Sequence, residues 1–129
     1  MAVPVTEQDK ELAISFIVRQ ILISWLEKDY ELFSFERFKI PETYHHLIEK
    51  VLLNISKDMR EIKKELKERG IKIYKPKRVN ESFIEYLVVV RGYEWNPRFW
   101  DAALRNRVKD LAKEYIKNVK KPTSRRSGF

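Results

Sequence analysis

The run "LAISFIVRQILISWL", Leu12 to Leu26, carries one charge, at Arg19, and is apolar around nearly its whole circumference. A helix with that pattern has no broad face to give to water, so neighbours must cover it on more than one side. It is shorter than the ~20 residues of a membrane span. The run is therefore expected to be the central helix of a soluble core. Thr6 suits an N-cap, and Glu7 and Asp9 place negative charge in the first turn, so the helix should run from about residue 7 to about residue 28.

A second helix is framed by Pro41 and Glu42 at its start and by Gly70 at its end. Within it, Ile48, Leu52, Ile55, Met59, Ile62 and Leu66 alternate spacings of four and three, the seam of a helix packed along another. Leu47, Val51 and Leu53 widen the stripe in the first half. Beyond Asn54 charge borders it on both sides, so the second half is expected to project or to meet a single neighbour. Met59, Ile62 and Leu66 then form a candidate protein-interaction seam, through which the chain would act as an adaptor or form a homodimer.

"IYKPKRVNESFIEYLVVVRGYEW", residues 73–95, breaks the helical pattern. Ile71 and Ile73 alternate with Lys72 and Tyr74, as in a half-buried strand. "KPKRVNES" reads as a connection, because Pro76 cannot donate to a ladder and Asn80 suits a turn. Residues 83–95 read as the partner strand. Apolar residues on both of its faces around 87–90 require cover on two sides or a third strand. Asn96 and Pro97 resemble a cap-plus-proline helix start. The third helix should reach Val119, with Phe99 and Trp100 opening its buried face. Phe33, Phe35 and Phe38 fit either a short strand or a helical turn. The expected fold is α+β and mainly helical: three long helices and a β-hairpin between the second and third, with residues 32–39 open to either a third short strand or a helical turn. Residues 1–119 make one domain, and "KKPTSRRSGF" (120–129) a flexible basic tail.

Charge is unevenly placed. The net charge is +8, yet residues 57–78 carry 10 basic and 4 acidic side chains and residues 105–129 carry 9 and 2, whereas the remainder is net negative. Concentrated positive charge is what a polyanionic partner uses, through counterion release and steering. A solvated helix face and a solubility tail are the plainer explanations, and the interleaved Glu61, Glu65 and Glu68 favour them on helix two. Lys75, Lys77 and Arg78 have no acidic neighbour until Glu81, so the connection is the sharper nucleic-acid candidate, aided by Lys72. Tyr74 beside them could stack on a base. Lys120, Lys121, Arg125 and Arg126 form a second basic arm suited to sequence-independent phosphate contacts.

Little else points to chemistry. Cysteine is absent, which removes thiol nucleophiles, disulfides and Cys-based metal sites and fits a reducing, cytoplasmic setting. No signal peptide is visible at the N-terminus. His45 and His46 are adjacent and point about 100° apart on a helix, the wrong spacing for shared metal ligation. Three glycines make no phosphate-cradling loop, and no serine lies in a nucleophile elbow. The chain is not expected to be an enzyme, to need a cofactor or metal, or to enter a membrane.

In residues 47–95, a helix leading into a basic hairpin is broadly similar to the third helix and wing of winged-helix proteins. The similarity is one of architecture and carries no diagnostic motif. Helix two is longer than a recognition helix, and its seam is continuous. The function expected is that of a small accessory or regulatory protein that binds DNA or RNA through the basic hairpin and C-terminal arm. The alternative is a protein-interaction adaptor or homodimerising module that uses the helix-two seam and the hairpin edge and has no nucleic-acid role.

Overall fold

The computed structural model describes residues 4–32 and 41–120. Along the chain lie α1 (Glu7–Leu32), α2 (Pro41–Glu68), β1 (Ile71–Ile73), β2 (Lys77–Arg78), β3 (Phe83–Glu85), β4 (Val88–Val90), β5 (Tyr93–Trp95), β6 (Arg98–Trp100) and α3 (Asp101–Lys120). The class is α+β and mainly helical, with short antiparallel strands between the second and third helices. Of residues 32–39, Leu32 belongs to α1 and the rest lies outside the described residues.

Two cores share α1, which accounts for its all-round apolarity. Val18, Leu22 and Leu26 meet Ile48, Val51, Ile55 and Met59 of α2 and Leu104, Val108 and Tyr115 of α3. Ala13 and Ile17, nearer its N-terminus, meet Leu66 of α2 and Ile71, Tyr86, Val88 and Val90 of the strands. The α2 seam spans both cores. Its second half does not project: Met59 and Leu66 are buried, and half-buried Ile62 packs against both clusters. The proposed exposed seam at Met59, Ile62 and Leu66 is thereby corrected, because the chain's own helices and strands occupy it. The charges that border it lie outside this contact and say nothing about an empty partner site.

Arg19, the one charge in the apolar run, is held by α3. Its Nε donates to the Tyr115 hydroxyl at 2.9 Å and its Nη1 to Ser15 Oγ at 2.5 Å, while the Tyr115 hydroxyl donates to Asp58 of α2. Burial, and then the Asp58 hydrogen bond, push the Tyr115 hydroxyl above the usual phenol range. This clasp joins all three helices with a satisfied polar network, which is what a buried polar group requires.

The strands read as two sheets, β1-β4-β5 and β2-β3-β6, but their registers describe one bent meander of three arms. The second and third arms keep a single register: Glu85 faces Arg98, Val88 faces Trp95, and between them Tyr86 N–H donates to Pro97 O at 3.0 Å. The first arm slips by one residue. Ile73 faces Val88 and Tyr74 N–H donates to Leu87 O, whereas Lys77 faces Glu85. The additional residue falls at Lys75–Pro76, a bulge where proline's missing donor is harmless.

Three expectations are revised here. Residues 83–95 do not form one strand, because Arg91 (φ 50°) and Gly92 (φ 89°) turn the chain back as a two-residue hairpin with both central residues left-handed. The eight-residue connection shrinks to Val79–Ser82, where the Asn80 side-chain oxygen accepts from Ser82 and Phe83 N–H. Helix three starts at Asp101, not Asn96. Residues 98–100 continue the ladder as β6, and Asp101 N–H still donates to Ser82 O at 2.8 Å. The winged-helix similarity does not extend to this arrangement, since α2 has 28 residues and three arms follow it.

Gly70 ends α2 at φ 69°, and a Cβ added there would lie 3.1 Å from Arg91 Cγ. At Gly92 the φ is also positive, but nothing lies within 4 Å of such a Cβ. Alanine at either site meets left-handed strain of about 1 kcal/mol. Gly70→Ala is expected to lower the melting temperature more than Gly92→Ala, because it alone must also displace Arg91. Thermal melts of the two variants side by side check this.

Candidate nucleic-acid interface

Alternation along the arms sorts their side chains onto two faces. Ile71, Ile73, Ile84, Tyr86, Val88, Val90, Trp95 and Phe99 face α1 and the core. Lys72, Tyr74, Lys77, Phe83, Glu85, Leu87, Val89, Glu94, Arg98 and Trp100 fall on the other face. Neither core cluster includes Phe83, Leu87 or Val89. Tyr74 and Trp100 are 48% and 56% exposed. Trp100 thus departs from its expected place at the head of a buried helix face. As a β6 residue it points opposite to half-buried Phe99.

The arginines around the sheet are all committed within the chain. Arg69 Nη1 and Arg91 Nη2 lie 3.1 and 2.6 Å from the two oxygens of Asp9, a fully buried carboxylate. Arg91 Nη1 also donates to the Arg69 carbonyl, which ties the β4–β5 turn to the end of α2. Asp9 belongs to the α1 N-terminus, where it accepts from Thr6 N–H and its own N–H donates to Thr6 Oγ1. Burial alone would raise the Asp9 pKa. The Arg91 bond, the Thr6 bonds and the Arg69 bond override it and hold the carboxyl well below the usual range. Arg69, bonded to Asp9 and Glu65, is shifted upward. Arg98 pairs with Glu85 at 2.9 Å.

Arg78 was expected to meet phosphate. Instead its Nη1 lies 2.8 Å from Asp101 Oδ2 and donates to the Asn80 and Glu81 carbonyls. The Ser82–Asp101 ladder bond delivers that carboxylate to the turn. Arg78 is therefore a brace between the β2–β3 turn and the start of α3, with its charge locally neutralised.

The lysines are different. Lys72, Lys75 and Lys77 are exposed, and no ion pair ties them among the described residues. A groove of about 560 Å³ runs along β1 against the last turns of α2, floored by Phe16, Leu66, Ile71 and Ile73. Lys63, Lys67 and Lys72 line it, and no acidic side chain among the described residues does. In sequence Lys63 and Lys67 belong to the helix-two charge run whose interleaved Glu61, Glu65 and Glu68 favour a solvated face. Their spacing of four was the available signal, since it puts both on one stripe of the helix. Lys120 closes α3, whereas Lys121, Arg125 and Arg126 lie outside the described residues.

His45 is part of a local contact: its ring stacks on Tyr30 at 4.1 Å and its Nε2 lies 3.0 Å from the Tyr30 carbonyl. Among the described residues, no group of three His, Cys, Asp or Glu side chains is placed to hold a metal ion, and no helix is long and apolar enough to cross a membrane.

By fold, this is a three-helix α+β protein with a three-armed meander whose outer face carries lysines and two half-exposed aromatic rings. The chain belongs to the YhjD protein family, whose model matches residues 4–120. It is also similar to the uncharacterized protein YhjD of Bacillus subtilis (strain 168), at 36% identity over 78 residues. That match covers 60% of this chain and 64% of the relative's length. No solved structure matches the chain.

Proposed function

We propose that the chain binds nucleic acid through the lysines of the first meander arm, Lys72, Lys75 and Lys77, with Lys63 and Lys67 beside them on α2. The observation that carries this reading is the division of labour among the cations. Arg69, Arg78, Arg91 and Arg98 are consumed in ion pairs, whereas the lysines next to them have none among the described residues. Lysine acts on phosphate as a mobile point charge and tolerates any sequence, so the expected contact is with backbone rather than with base edges. The C-terminal basic residues, Lys120, Lys121, Arg125 and Arg126, would extend the same contact. The role is that of an accessory or regulatory protein in the cytoplasm, with no reaction of its own.

A second reading has a specific observation behind it. The first arm is at the sheet's edge, and lysines, a proline and a bulge are the devices that keep an exposed edge from pairing with another chain. Under that reading Lys72, Lys75 and Lys77 prevent association and bind nothing. The same variants separate the two. Lys72→Ala/Lys75→Ala/Lys77→Ala should lose labelled-oligonucleotide binding and stay monodisperse if the lysines meet phosphate. It should self-associate with no binding to lose if they guard the edge. Arg78→Ala should leave affinity within about twofold, because its charge is already answered by Asp101. A loss from Arg78→Ala as large as that from the triple variant would overturn the division between braces and free cations.

A further inference from the structure

Resting on the nucleic-acid reading, we infer that the polymer is single-stranded and that its bases stack on Tyr74 and Trp100 across the outer face of the meander. Tyr74 sits at one end of that face, opposite Leu87 through the bond from its N–H to the Leu87 carbonyl. Trp100 sits at the other end, directly opposite Phe83. Leu87 and Phe83 are four positions apart on the central arm, about 13 Å along the strand, and two strand spacings of ~4.8 Å separate the outer arms. The two rings are thus ends of a diagonal path across the face.

Between them lie Lys77, Glu85 and Arg98 in cross-strand register. The carboxylate in this row is held by Arg98, which leaves Lys77 without an ion pair at mid-path among the described residues. Cations alternating with open rings are what an unpaired strand requires, since its phosphates and its base faces are both available. A duplex hides the faces of its bases and would use only the lysines.

Burial separates these rings from structural ones. Tyr86 and Phe99 pack edge to face on the inner side, 5.9 Å apart, and Trp95 joins the same core. Tyr74 and Trp100 belong to neither core cluster and are about half exposed. An exposed tryptophan opposite a half-buried phenylalanine, on a sheet face whose Phe83, Leu87 and Val89 join neither core cluster among the described residues, leaves apolar area that a stacked base would remove from water.

The test compares a labelled single-stranded oligonucleotide of mixed sequence, as RNA and as DNA, with the corresponding duplex. The proteins are wild type, Tyr74→Ala/Trp100→Ala, Tyr74→Phe/Trp100→Phe and Lys72→Ala/Lys75→Ala/Lys77→Ala. The alanine pair should weaken single-strand binding by on the order of 100-fold, at about tenfold per ring, and change duplex binding by less than about threefold. The phenylalanine pair should keep most of the affinity, since a ring remains. As a check independent of affinity, the single strand should quench wild-type tryptophan emission, and Trp100→Phe should remove that quench.

Full single-strand affinity in the alanine pair would overturn the stacking inference, and so would a quench that survives in Trp100→Phe. If lysine-dependent binding persisted in either case, the phosphate reading would stand without stacking. Absence of binding by wild type to all of these polymers in dilute salt would overturn both.

Discussion

Asp9→Ala is expected to lower the unfolding free energy by ~3 kcal/mol, the low end for removing one partner of a buried ion cluster. The low end applies because Arg69 and Arg91 keep contact with water, at 32% and 26% side-chain exposure, whereas the Asp9 side chain has none. The variant loses three things together: the Thr6 N–H bond to the carboxylate, the tie to the end of α2, and the tie to the β4–β5 turn. For a chain of this size the melting temperature should fall by roughly 10 °C.

Acidity should reproduce the effect. The folded Asp9 carboxyl titrates below its unfolded value of about 4, so it binds a proton more readily when unfolded. Its contribution is complete above pH ~4 and is lost as pH falls through the folded value. Asp9→Asn, which removes charge but keeps shape, should therefore melt below wild type at pH 7, and the gap should narrow below pH ~4. An unchanged gap at pH 3 would mean that the gap does not come from the carboxylate's charge.

The second large effect concerns binding. Each phosphate contact on a single strand contributes a salt exponent of roughly 0.7, so at 0.1 M salt the loss of three contacts amounts to ~100-fold in affinity. Lys72→Ala/Lys75→Ala/Lys77→Ala should show that loss with little change in stability, because the three side chains are exposed and form no ion pair among the described residues. The two effects are separable. Asp9→Ala should retain affinity at temperatures where it is folded, and the lysine variant should retain its melting temperature.

Helical structure was largely legible because its signals are local and repeat. The apolar circumference of α1, the four-three seam of α2 and the stop at Gly70 each follow from a few consecutive turns. The extent of α2's contacts was not legible, since flanking charge looks the same whether a seam ends in solvent or enters a second core. Residues 83–100 misled for a related reason. A turn at Arg91–Gly92 requires a left-handed arginine, which sequence statistics disfavour, and here the arginine is held by Asp9 from a distant helix. Reading 96–97 as a helix start followed from the same local rule, but the ladder with β3 outweighed it and turned Trp100 outward.

The candidate site was legible as charge and not as geometry. Lys72, Lys75, Lys77 and Arg78 look equivalent in sequence, yet Asp101 takes Arg78 out of the set. Asp101 lies 23 positions further on, and no local pattern announces the pair. Lys63 and Lys67 join the groove because the end of α2 lies beside β1, a tertiary contact that alternating acidic residues conceal.

The most direct measurement is the slope of log affinity against log salt for a labelled single-stranded oligonucleotide, taken for wild type and for Lys72→Ala/Lys75→Ala/Lys77→Ala. Phosphate contact by these lysines predicts a steep wild-type slope, reduced by about two units in the variant. Equal slopes for the two proteins, or wild-type binding indifferent to salt, would contradict it.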